Sequence, residues 1–81
     1  MDPNATLADI IADHGVWANP STPEWTATIS AKIVIEHAEA LRGWVARGGF
    51  PPADANWRLT VDDILTEISE YYADPNACYA A

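Results

Sequence analysis

Residues 22–49, TPEWTATISAKIVIEHAEALRGWVARGG, decide the fold. Thr22 is a capping residue, Pro23 suits a first helical position, and Glu24 puts a carboxylate in the first turn, where the helix dipole favours it. At the other end Gly48-Gly49 is a stop signal. The interval predicts one long helix over about 23–47. Its apolar positions are Trp25, Ile29, Ile33, Val34, Ala38, Leu41, Trp44 and Val45. A band that wide contacts two neighbours at once, as the central helix of a three-helix unit does. Lys32 and Glu36 have the spacing of an i, i+4 ion pair, and Arg42 and Arg47 fall in the final turns, where the dipole favours cations.

The flanking segments supply the two neighbours. Asp2-Pro3 reads as an N-cap followed by proline at the first helical position. Leu7, Ile10 and Ile11 follow at i, i+3, i+4, and His14-Gly15 reads as the last turn and stop, giving a helix over about 3–14. Residues 15–22 are expected to be a loop, with Val16 and Trp17 folded back over the core. After the central helix, Pro51-Pro52 forbid its continuation. Residues 48–59 then form a linker with Phe50, Trp57 and Leu59 plugged into the core. Thr60 and Asp63 resemble a capping box, and Val61, Ile64, Leu65, Ile68, Tyr71 and Tyr72 form a helical stripe over about 61–73. Asp74-Pro75 ends it, and 75–81 is a tail. The expected fold is all-α, a small three-helix bundle in one domain, closed by Trp17, Phe50 and Trp57 from loops. Trp44→Ala is expected to cost about 3–5 kcal/mol if that indole is buried.

Composition limits what such a bundle can do. The chain has 81 residues, 12 acids against 4 bases, and a net charge of -8. Folding a chain of this size buries roughly 63% of its extended surface, enough for one modest core. The acid excess argues against holding nucleic-acid phosphates on a basic face. Disorder is the other reading of an acidic chain, but four tryptophans and apolar residues at helical spacing oppose it. Residues 2–13 hold Asp2, Asp9 and Asp13 with no Lys or Arg, unlike a secretory leader, and no apolar run approaches a membrane span. The single cysteine, Cys78, excludes a disulfide framework and fits a reducing cytoplasm.

Catalytic chemistry finds little to work with. Asp9, Asp13 and His14 form one candidate ligand group, and Glu36, His37 and Glu39 another. Neither has the spacing of a known metal motif, and both suit the solvated side of an amphipathic helix. His37 reads as a half-buried histidine with a hydrogen-bond partner, or as a titrating switch. Cys78, Ser21, Ser30 and Ser69 have no base nearby in sequence, and Gly48-Gly49 lacks the Lys, Ser or Thr of a phosphate loop. No catalytic, cofactor-binding or metal-ligating residue is expected, and no enzyme.

Charge placement is the remaining signal. Asp62, Asp63, Glu67, Glu70 and Asp74 lie in the third segment without a base, and all four bases fall between positions 32 and 58. An anionic helix face steers toward a basic partner or imitates a row of phosphates; it also simply confers solubility. Tyr71, Tyr72 and Tyr79 lie close by, and tyrosine is frequent at interfaces. The candidate partner-binding residues are therefore Asp62, Asp63, Glu67, Glu70, Tyr71 and Tyr72.

Two stretches also carry a resemblance. MDPNATL at 1–7 and LRGWVARGGFPP at 41–52 resemble the opening and the RGGF-P ending of small acidic proteins of actinobacteriophages, mycobacteriophages among them, and their hosts. Here Trp57 comes later after the prolines than the usual Trp, the second helix is longer, and a third amphipathic helix follows. The resemblance implies no activity, cofactor or catalytic residue. It implies a phage accessory protein in the host cytoplasm, binding a host protein to redirect growth or exclude other phages. The alternatives are a structural or assembly protein acting through homo-oligomerisation, and an acidic nucleic-acid mimic.

Overall fold

A computed structural model describes residues 1–73. They form three helices and no strand: α1 (Pro3–Ala18), α2 (Glu24–Ala46) and α3 (Trp57–Ala73). The fold is a small all-α three-helix bundle. The expected stop at Asp74-Pro75, the tail 75–81, Cys78 and Tyr79 lie outside the described residues.

α1 begins as its sequence dictates. Asp2 is extended, and its Oδ1 accepts the backbone N–H groups of Asn4 at 3.1 Å and Ala5 at 3.2 Å. Two of the four orphan donors of the first turn are thereby satisfied, and Pro3 has no N–H to satisfy. The helix does not stop at His14-Gly15. It runs through Gly15, Val16 and Trp17 to Ala18, so Trp17 reaches its neighbours from a last helical turn and not from a loop. Its contacts with α3 outweigh the helix penalty of one glycine, about 1 kcal/mol. The connection to α2 shrinks to Asn19–Pro23, where Asn19 Oδ1 accepts the Ser21 N–H at 2.9 Å and the Asn19 carbonyl the Thr22 N–H at 3.0 Å.

α2 starts one residue later than expected. Pro23 occupies the cap position with no side-chain cap bond, so Thr22 does not cap it. Its end is a complete Schellman motif: Gly48 N–H donates to the Val45 carbonyl at 3.0 Å and Gly49 N–H to the Trp44 carbonyl at 2.9 Å. Gly48 takes φ +95°, a conformation only glycine adopts without strain. Trp44 Nε1 then donates to the Phe50 carbonyl at 2.9 Å, and the two rings meet edge-on at 5.8 Å.

α3 starts a full turn before Thr60. Asp54 Oδ1 accepts the Asn56 N–H at 2.8 Å, and the Asp54 carbonyl accepts the Trp57 N–H at 3.1 Å. The Thr60 N–H is already bonded to the Asn56 carbonyl at 3.0 Å, so Thr60 and Asp63 form no capping box. The earlier start adds Trp57 to the stripe Val61, Ile64, Ile68 and buries its indole. Asn4 Oδ1 accepts the Ala53 N–H at 2.7 Å, tying the linker to the first turn of α1, and Pro52 beside it is buried.

The core joins Leu7 and Ile10 of α1, Ala31, Val34, Ala38 and Leu41 of α2, and Trp57, Val61, Ile64 and Ile68 of α3. Trp17, Val45 and Leu65 pack at its edge. α1 and α2 run close together, while α3 stands further from both. Ser30, Ala31 and Ala38 are buried on α2, and small side chains let a neighbouring axis approach. The apolar band of α2 is only half used. Trp25 and Ile29 face water, and Trp44 is half-buried outside the core. Phe50 and Leu59 are exposed and not plugged into the core, and Val16 is exposed too. Trp44 and Phe50 instead pack against each other at the end of α2, outside the core. None of the described helices is long and apolar enough to cross a membrane.

Candidate interaction surface

α3 buries Trp57, Val61, Ile64 and Ile68, and this fixes where its acids go. At 3.6 residues per turn, Asp62, Asp63 and Glu70 all fall on the half of α3 away from the buried stripe, with Asp62 at its edge toward α2 and Glu67 on the flank toward α1. The flanking acids are engaged: Asp62 pairs with Arg42 of α2, and Glu67 Oε2 lies 3.0 Å from His14 Nε2 of α1. Asp63 and Glu70 are exposed and carry no ion pair among the described residues. The six candidate partner residues are thus divided. Asp62 belongs to the α2 side, Asp63 and Glu70 point outward, and Glu67, Tyr71 and Tyr72 gather on the α1 side.

There they meet a residue that sequence reasoning placed in a loop. Trp17 Nε1 donates to Tyr72 Oη at 3.2 Å. The Trp17 ring lies edge-on to Tyr71 at 5.5 Å, and Tyr71 edge-on to Tyr72 at 5.0 Å. His14 stacks at a tilt on Trp17 at 5.8 Å while holding Glu67. Leu7, Ile10, His14 and Trp17 continue one helical register, a signal that reading Gly15 as a stop obscured. Beside these rings lies an open cleft of about 540 Å³, closed by Asn19 and Pro20 of the turn, by Glu24 and Thr28 of α2, and by Glu67 of α3. Tyr71 remains 47% exposed and Tyr72 37%, so ring surface is available there.

The possible ligand groups do not converge. His14 turns to Glu67, and among the described residues no three His, Cys, Asp or Glu side chains come together as a metal site would need. His37 is half-buried, and its Nδ1 is buried with no hydrogen-bond partner, so the partner expected for it is absent at that atom. Lys32 and Glu36 form no ion pair within the distance of one. The arrangement beside Trp17 suits one kind of chemistry: aromatic faces flanked by carboxylates hold cationic side chains. No family model matches this sequence, and neither a curated protein nor a solved structure matches it.

Proposed function

We propose that this protein is a non-enzymatic interaction module that binds a protein of the host cell in the cytoplasm. Its contact surface is the outward acidic face of α3 together with the aromatic cleft at the α1 end of that face. The observation that carries this reading is the pairing of the outward carboxylates Asp63 and Glu70 with exposed Tyr71 and Tyr72 and the ring of Trp17. A segment bearing Arg or Lys fits both parts: its cations meet the carboxylates, and a guanidinium lies over a ring. The resemblance of residues 1–7 and 41–52 to phage accessory proteins supplies the host and the compartment, with growth redirection or superinfection exclusion as the effect.

Nucleic-acid mimicry is the weaker alternative. Arg42 and His14 engage Asp62 and Glu67, leaving Asp63 and Glu70 about 10 Å apart along the axis. A nucleic-acid strand presents a phosphate about every 3.4 Å of axis.

Affinity capture from mycobacterial lysate, with mass spectrometry of the bound proteins, tests the proposal. Asp63→Asn with Glu70→Gln removes the outward charges without touching the pairs with Arg42 and His14. The expected result is a host protein bound by the wild type and lost from this variant. The same protein captured equally by both would refute the proposed face.

A further inference from the structure

α2 carries a second apolar stripe that the chain leaves exposed at Trp25, Ile29 and Ala40 and covers only in part at Ile33 and Trp44. Trp25, Ile29, Ile33, Ala40 and Trp44 follow one another at spacings of four, four, seven and four residues, so they run down one side of the helix. That side is turned roughly a third of a turn from the buried Val34, Ala38 and Leu41. Trp25 is 70% exposed and Ile29 49%. Ala40 is exposed, while Ile33 and Trp44 are half-buried. Taking about 250 Å² for an indole residue, Trp25 alone leaves roughly 170 Å² in water.

We propose that this stripe pairs with the same stripe of a second copy of the chain, the two α2 helices lying antiparallel across a two-fold axis. An interface between identical copies has to be its own complement, and this stripe is. An antiparallel two-fold centred between Val34 and Ile35 sets Trp25 against Trp44 of the second copy, beside the exposed Phe50 ring. The same axis sets Ile29 against the small Ala40. It also brings Lys32, the chain's one lysine, beside Glu36 of the second copy, and does so twice. A parallel two-fold would carry Lys32 and Glu36 of the second copy to the opposite flank of the contact, where no carboxylate of α2 lies beside Lys32. The self-complementary order of the stripe fits a second copy, and the two Lys32–Glu36 pairs favour the antiparallel orientation over the parallel one. The pairing also covers Trp25, the most exposed tryptophan, and the remaining exposed part of Trp44.

The size of the contact sets its strength. From Trp25 to Trp44 the stripe is about 28 Å long and, at one helix diameter, 10–12 Å wide, a footprint of roughly 300 Å² per copy. Stable interfaces usually bury about 800 Å² per partner, so this dimer is reversible, with a dissociation constant in the micromolar range or weaker.

Sedimentation equilibrium of the full chain, over a concentration series ending at about 1 mM, tests the proposal. The wild type is expected to show a monomer–dimer equilibrium. Ile29→Glu should abolish the dimer and leave helical circular dichroism unchanged, because the site is exposed in the monomer. Lys32→Glu and Glu36→Lys should each weaken dimerisation about tenfold, and the two together should restore it. A monomer throughout the series would overturn the proposal. So would a dimer indifferent to Ile29→Glu, or a charge-swapped double variant no tighter than the single ones. A monomeric wild type that loses a captured host protein on Ile29→Glu would assign the stripe to that protein instead.

Discussion

Gly49 lies so close to the indole of Trp44 that a Cβ there would enter the ring. Trp44 in turn donates to the Phe50 carbonyl and receives the Phe50 ring edge-on. Gly49→Ala should push the indole aside and break this closure, costing about 1–3 kcal/mol in urea unfolding. Trp44→Ala, which removes a half-exposed ring, should cost about 2 kcal/mol, below the value for full burial. A Gly49→Ala variant as stable as the wild type would show that the closure contributes nothing. The sequence announces this helix stop plainly, because Gly48-Gly49 followed by Phe50 and two prolines permits few other geometries. It does not announce which tryptophan is buried. Trp25 and Trp57 are equally apolar, yet one is 70% exposed and the other 4%. The difference lies in whether another helix passes over each side chain, and no local pattern carries that information.

At the scale of elements, the centre of each helix is legible and the ends are less so. Of the expected stripes, Leu7 and Ile10, Val34, Ala38 and Leu41, and Val61, Ile64 and Ile68 enter the core, because apolar periodicity and burial have a common cause, whereas Leu65 packs at its edge and Ile11, Tyr71 and Tyr72 are exposed. The ends move where a tertiary contact is worth more than a local signal. α1 continues past Gly15 because His14 and Trp17 find Glu67, Tyr71 and Tyr72 on α3. α3 begins before Thr60 because its extra turn buries Trp57. A Cβ at Gly15 would meet nothing within 4 Å, and the residue is exposed inside α1. Gly15→Ala should therefore stabilise the protein by about 0.5–1 kcal/mol, read as a higher urea midpoint with an unchanged slope. A lower midpoint would mean that Gly15 is not helical in solution. The candidate site was legible to the same extent as the elements. The acids and tyrosines of α3 could be read from their spacing, but their separation by Arg42 and His14, and the arrival of Trp17, depend on how the helices face one another.

At the scale of the whole molecule, a net charge of -8 acts on every encounter. Two copies repel, whereas a basic partner is drawn in. Salt screens both effects, with a Debye length near 10 Å at about 0.1 M and 3 Å at about 1 M. Raising the salt should weaken capture of a basic partner by α3, measured by retention on immobilised protein. Retention unchanged by salt would show that the carboxylates of α3 do not draw that partner.

Both surfaces rest on one division of the apolar residues, in which Trp57 seals the core and Trp25 stands outside it. Incorporation of 5-fluorotryptophan gives the four indoles separate fluorine resonances, assigned by single Trp→Phe substitutions. A soluble paramagnetic agent, added where the chain is monomeric, then reports the exposure of each. Trp25 should broaden most and Trp57 least, with Trp17 and Trp44 between them. A Trp25 resonance as protected as that of Trp57 in the monomer would contradict the division, and with it the free stripe on α2.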